Sequence, residues 1–232
     1  LARGGAGLTL ADRFGSALPE AAERLRGEFP GVVIHAVEVD VTCSDSVRQM
    51  VRAAADVFAT IDGLVNLAGI TGDGPSVEVT DERWTEMIGT NLTSAFYGCR
   101  EYARLQQSRG HGGAIVNTSS ITAFSAPRPE VHVAYDSAKA GIVALTRSLA
   151  VEWASQGIRV NAVAPGYTDT AILRGVGATR PHVLATWLDQ IPMRRLIAPE
   201  EIAEVVAFLL SDAASAITGQ TLVADGGYSA AK

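Results

Sequence analysis

Short β-branched runs alternate with longer helical stretches along the whole chain, and that alternation restricts the fold more than any other feature. "GLTLAD", "VVIHAVEVDV", "IDGLVNLAG" (a buried strand and its exit loop), "GAIVNTSS", "IRVNAVAPG" and "QTLVADGG" read as strands. Between them lie helical "PEAAERLRGEF", "SDSVRQMVRAAADVFA" with Ser44 as its N-cap, and "TDERWTEMIGTNLTSAFYGCREYARLQQ". A further helix begins around Tyr135, residues 167–198 read as a looser segment, and "PEEIAEVVAFLLSD" is the last helix. Six strands separated by helices imply an α/β fold: a mostly parallel, doubly wound sheet in three layers, α/β/α. No repeat, low-complexity tract or linker interrupts residues 1–232, which read as a single domain.

The bulk properties exclude several classes. A chain of 232 residues can bury roughly 70% of its unfolded surface. A net charge of -6 argues against nucleic acid or an anionic membrane as partner, and no apolar run reaches the roughly 20 residues of a membrane helix. Cys43 and Cys99 stand far apart without C-x-x-C spacing and read as buried small hydrophobes. The four histidines form no ligand pattern, so no metal is expected. These features favour a reducing cytoplasm, although the chain opens on Leu1 and a targeting segment could precede it.

In an open α/β sheet the ligand lies beyond the carboxyl ends of the strands. Here those ends carry an ordered set: "NLAG" at 66–69, "TNL" with Asn91, "NTSS" ending at Ser120, "YDSAK" from Tyr135, and "APG" at 164–166. In that order and spacing, through to "VADGGYSA", the whole chain resembles the short-chain dehydrogenase/reductase family. The resemblance implies a Rossmann-type sheet, one nicotinamide dinucleotide per subunit, and a catalytic set at Asn91, Ser120, Tyr135 and Lys139.

Each implied role has a physical reason. A free phenol titrates near about 10, too high for a useful base at neutral pH. Lys139 lies one helical turn beyond Tyr135, so its charge is expected to lower the Tyr135 pKa and fit it for proton exchange with an alcohol or ketone. Ser120 is expected to steady the substrate oxygen, with Ser119 its rival. Asn91 caps or kinks its helix and, by resemblance, holds a water linking Lys139 to solvent. Pro165, Gly166, Thr168 and Thr170 match the stretch that holds the carboxamide end of the cofactor, and Lys139 the ribose hydroxyls. Asn66, Ala68 and Gly69 are expected beneath the adenine-side ribose. Leu67 replaces the family's second asparagine, which puts local rigidity in doubt. Asp40 and Val41 fit the adenine contact, with a plain turn acid as the other reading of Asp40.

Asp12 ends the first strand, where a carboxylate accepts ribose hydroxyls and repels a 2′-phosphate, so NAD is expected over NADP. Arg13 pulls the other way. The family's glycine-rich phosphate loop is not seen: Gly4, Gly5 and Gly7 precede a strand and do not fit G-x-G-x-x-G. A first βα unit thus looks absent, and the sequence reads as a fragment, because the missing strand would be central in a 3-2-1-4-5-6 sheet.

The expected activity is the interconversion of a secondary alcohol and a ketone by hydride transfer, the substrate a polyol, a sugar, a 3-hydroxyacyl compound or a small ketone, with a lean to the first two. Its pocket is expected from 167–195 (Ile172, Leu173, Val176, Trp187 and Met193, with Arg174 and Arg180) and from an insertion bearing Phe124, Glu130 and His132, the histidine reading best as a surface residue. The alternative is a non-catalytic dinucleotide-binding regulatory protein on the same fold. The apolar stripes of 92–107 and 138–153 fit a homotetramer or homodimer, as in the family.

Overall fold

A computed structural model describes residues 1–127 and 129–231, and of Ile172 the backbone alone. The order of elements begins β1 (Leu8–Asp12), α1 (Leu18–Glu28), β2 (Ile34–Glu38), α2 (Ser44–Val57) and β3 (Gly63–Asn66). It continues with α3 (Asp81–Ile88), a π-helical turn (Gly89–Thr93), α4 (Ser94–Arg109), β4 (Gly113–Thr118) and α5 (Val133–Trp153). The chain closes with β5 (Ile158–Pro165), α6 (Ala171–Thr179), α7 (Pro181–Gln190), α8 (Pro199–Leu210) and β6 (Thr221–Ala224).

All strand pairs are parallel, but the strands form two sheets: β1 with β2, and β3-β4-β5-β6. No ladder joins β1 to β3, so each keeps a single hydrogen-bonded neighbour. In a doubly wound order this break falls where the sequence offers no strand.

The four-stranded sheet explains its own burial. Successive strand residues point to opposite faces, and Ile115 and Val116 on β4 are both fully buried. Ile115 packs with Cys99 and Tyr102 of α4 and with Leu149 and Trp153 of α5. Val116 meets Val163 of β5 and Leu209 of α8. Helices therefore cover both faces, giving the three expected layers, and a fully buried strand can be apolar throughout.

Several local expectations change. Ser44 is the first residue of α2 and not its cap; Cys43 holds the cap position and is exposed, contrary to its reading as a buried hydrophobe. Cys99 is buried as expected. The segment read as loose carries α6 and α7, the first capped by Thr170, whose hydroxyl accepts from Leu173 N at 3.4 Å, the second opened by Pro181 at its first turn. The strand β3, expected to be buried, is half-buried, and the exit residue Leu67 is 70% exposed.

Candidate active site

The carboxyl ends of β3, β4 and β5 and the first turns of α5 bring the expected catalytic residues together. Serines 119 and 120 leave β4 with opposite duties. Ser119 Oγ is buried and donates to the Lys139 carbonyl at 2.8 Å, fixing α5 to the strand end. Ser120 caps the short helical turn Ile121–Ala123, accepts from Thr122 N at 3.2 Å, and lies close enough to the Tyr135 phenol to lower its pKa. Ser119 is thus committed to the scaffold, while Ser120 is the serine on the side of the phenol.

Lys139 is 4% exposed, with Nζ donating to the Thr118 carbonyl at 2.8 Å and standing 5.5 Å from the centre of the Tyr135 ring. Burial lowers its pKa to about 8. The phenol, however, moves against expectation. Burial raises the Tyr135 pKa; Ser120 opposes this, and the adjacent Asp136 carboxylate reinforces it. The protein alone thus holds Tyr135 protonated, because removing the phenolate from water outweighs the stabilisation by Ser120.

Asn91 sits in the π-helical turn. Its amide nitrogen donates to the carbonyls of Ile70 and Met87, each at 3.0 Å, and its oxygen accepts from Ile70 N at 3.2 Å. It therefore pins the loop after β3 against α3. A Cβ added to Gly69 would lie 2.6 Å from Asn91 Oδ1 and 3.7 Å from Lys139 Nζ, so glycine lets this loop touch both residues.

The implied cofactor residues divide into two kinds. Gly166, whose missing side chain would collide with Asp225, and Pro165 end β5; Ala68, Gly69 and Asp12 are exposed small or acidic groups at strand ends. Asp12 Oδ1 accepts only from the neighbouring Arg13 N, at 2.7 Å, among the described residues. These fit the ribose and nicotinamide portions of a dinucleotide.

The second kind spend their side chains within the fold. Asn66 donates to Asn117 Oδ1 at 2.8 Å, supplying the interstrand amide tie that Leu67 was thought to cost, so only its backbone is left for a ligand. Asp40 accepts from Thr42 N and Oγ1 at 2.9 and 2.6 Å, which lowers its pKa and makes it the turn acid of the plainer reading, while Val41 beside it is half-buried. Thr168 donates to the Gly166 carbonyl at 3.0 Å, and Thr170 caps α6. Among the described residues no glycine-rich turn leads from a strand into a helix as a pyrophosphate cradle; Gly4, Gly5 and Gly7 precede β1. No cluster of metal-binding side chains occurs among them either.

On the substrate side, His132 is no surface residue. Its side chain is 10% exposed, its Nδ1 stands 2.6 Å from Asp136 Oδ1, and its ring centre is 5.5 Å from that of Tyr135. Asp136 was overlooked in the sequence, although its spacing of four from His132 was visible. Arg174 and Arg180 face Asp169 at 3.5 Å and Asp73 at 3.9 Å. Leu173 and Val176 are half-buried, Trp187 buried, Met193 and Phe124 exposed; the Ile172 side chain lies outside the described residues.

The fold is a dinucleotide-type α/β fold, and it brings Ser120, Tyr135 and Lys139 together at one strand end. A family model described as enoyl-(acyl carrier protein) reductase matches residues 1–229. A galactitol 2-dehydrogenase (L-tagatose-forming) of Cereibacter sphaeroides is 39% identical over 227 residues, 98% of this chain and 87% of the relative. A cis-4-hydroxycyclohexanecarboxylate dehydrogenase of Sinomonas cyclohexanicum is 45% identical over 195 residues, 84% of this chain and 76% of the relative. The crystal structure of gox2181 superposes with a TM-score of 0.94 at 37% identity, covering 99% of this chain and 88% of that one. The chain belongs to the short-chain dehydrogenase/reductase family, whose members bind NAD or NADP, and it is an oxidoreductase of CH–OH groups and the matching ketones.

Proposed function

We propose that the protein oxidises a neutral, hydroxyl-rich secondary alcohol, of polyol or sugar type, to its ketone with NAD, and runs the reverse reduction. The observation that carries this is the convergence of Ser120, Tyr135 and Lys139 at one strand end, with Ser119 and Asn91 committed to holding it. A bound nicotinamide supplies or takes the hydride. Tyr135 exchanges the proton with the substrate oxygen, Ser120 hydrogen-bonds that oxygen, and Lys139 donates to ribose hydroxyls. Because the chain alone keeps the phenol protonated, the resting site is set to donate to a ketone. Taking a proton from an alcohol is the harder direction for this phenol, and the positive charge of an oxidised nicotinamide, if held beside it, would favour that step.

Asp12 favours NAD, since a carboxylate at the end of β1 repels a 2′-phosphate; Arg13 beside it is the competing influence. The substrate class rests on charge. Arg174 and Arg180 each face a carboxylate, and Glu130 adds another, so an anionic substrate finds little to bind. Two relatives named for galactitol and for a hydroxycyclohexanecarboxylate support a secondary alcohol, and of the two only galactitol is neutral. Residues 1–232 act as one domain, and the α4 and α5 faces, with Val151 84% exposed, suit self-association into a dimer or tetramer. Two free thiols suit a reducing cytoplasm.

The test is a panel of polyols, sugars and simple alcohols with NAD and NADP, following absorbance of the reduced cofactor with the full chain. Tyr135→Phe is expected to lower kcat about 10²–10⁴-fold while NADH still binds. NADH binding without turnover of any substrate would favour the non-catalytic reading instead.

A further inference from the structure

We propose that Glu130 is a positioning residue: the latch that holds a substrate-covering lid, α6–α7, against the loop leading to Tyr135.

The lid is a closed excursion of the chain. Thr168 and Ile197 are bridged side by side, with Asp169 N donating to the Ile197 carbonyl and Ile197 N to the Tyr167 carbonyl, both at 2.9 Å. Everything between, including α6 and α7, leaves and returns through that base. Of the two helices, α7 is the anchored one, through buried Val183 and Trp187.

Glu130 grips this anchor. Trp187 Nε1 donates to Glu130 Oε1, and the Tyr167 hydroxyl donates to Oε2 at 3.2 Å. The Tyr167 and Trp187 rings stack at 4.8 Å, and Tyr228 meets Tyr167 edge-on at 5.6 Å. The loop carrying Glu130 is itself held, since Gly74 N donates to the Val131 carbonyl at 2.8 Å. Two residues further, His132 touches the Tyr135 ring. One carboxylate thus connects the lid to the segment that delivers the phenol. Of the lid's ion pairs, Arg174–Asp169 and Arg180–Asp73 are long, Arg194–Asp189 and Arg195–Glu201 are short, and all are exposed, where such pairs contribute little.

The chemistry suits a latch that opens. Glu130 is half-buried, and among the described residues it forms no ion pair; its partners are two neutral donors. Hydrogen bonds to a charged acceptor are strong while water is excluded. When the lid lifts, water solvates the carboxylate and replaces them, so opening leaves no stranded buried charge. A purely apolar clasp would lack that exchange.

The proposal rests on the oxidoreductase reading only for its kinetic arm; the second arm is limited trypsin digestion of the lid at Arg174, the Arg180–Pro181 bond being resistant to trypsin. Glu130→Ala is expected to raise the substrate KM about tenfold, hold kcat within about threefold and speed lid cleavage. Glu130→Gln keeps an acceptor for Trp187 and can donate to the Tyr167 oxygen, so it restores most of both. Should Glu130→Ala fold poorly, Trp187→Phe and Tyr167→Phe each remove one donor and are expected to give part of the same change. Unchanged KM and cleavage, or a fall in kcat at constant KM, overturns the latch. Faster cleavage with no turnover even in the wild type keeps the latch and removes the oxidoreductase reading.

Discussion

The strands β4 and β5 and the strands β1 and β2 belong to one type of layer but live in different surroundings. Residues Ala114–Asn117 of β4 are buried, and β5 is flanked by a strand on each side. By contrast β1 runs from half-buried Leu8 to exposed Asp12 and pairs on one side only. The first region carries Ser120 and supports α5; the second carries Asp12, the carboxylate we propose favours NAD. The contrast teaches that the four-stranded sheet alone brings Ser120, Tyr135 and Lys139 together, and that on the proposed reading β1 and β2 add binding without shaping that geometry.

Lys139→Met is the strongest challenge to this division. Turnover is expected to drop about 10²–10⁴-fold, in the range for loss of acid–base machinery. Replacing a buried cation by an apolar side chain of similar volume should leave Tm at pH 7 unchanged or higher, by thermal melts. A lower Tm would make the lysine structural. Next comes packing. Ile115→Ala, at a fully buried position, is expected to cost about 2–5 kcal/mol in urea unfolding, whereas Leu10→Ala on half-buried β1 should cost about 1 kcal/mol. Equal losses would erase the comparison.

Acidity offers a third handle. The lysine pKa lies near 8 in the folded chain, below that of a free lysine. Between about 8 and 10.5 the unfolded chain holds a proton the folded one has released, so stability from this group grows as pH rises through that window and is lost as pH falls through about 8. The Tm advantage of Lys139→Met at pH 7 should therefore shrink by about 5 °C at pH 10. The smallest expected effect is at the other region: Asp12→Ala should reduce the preference for NAD over NADP about tenfold in kcat/KM, with kcat on NAD little changed.

The layers, and the closeness of Tyr135 to Lys139, were legible because both rest on local patterns. Periodicity exposed the strands, and the spacing of Tyr135 and Lys139 placed them on one helix face. What stayed hidden depended on distant partners. Whether Asn66 faced a ligand or Asn117 hinged on a residue 51 positions away. The sign of the Tyr135 shift hinged on burial, which no spacing reveals. The lid helices escaped notice because α6 contains Gly175 and Gly177 and gains its order from the Thr170 cap and from packing around Trp187.

The π-helical turn at Gly89–Thr93 has its own consequence. Such a turn is a helix carrying one residue more than its span requires. Leu92 within it seats against α5 at Gly141, where a Cβ would lie 2.7 Å from Leu92 Cδ2. Deleting one residue from an ordinary helix rotates everything downstream by about 100°. Here a deletion could instead be absorbed, with α3 and α4 running on as a continuous rod and the inward face of α4 kept in phase. Only the amide of Asn91 would swing from its station, so the length of this segment is a tuning peg for the site that leaves the frame strung as before.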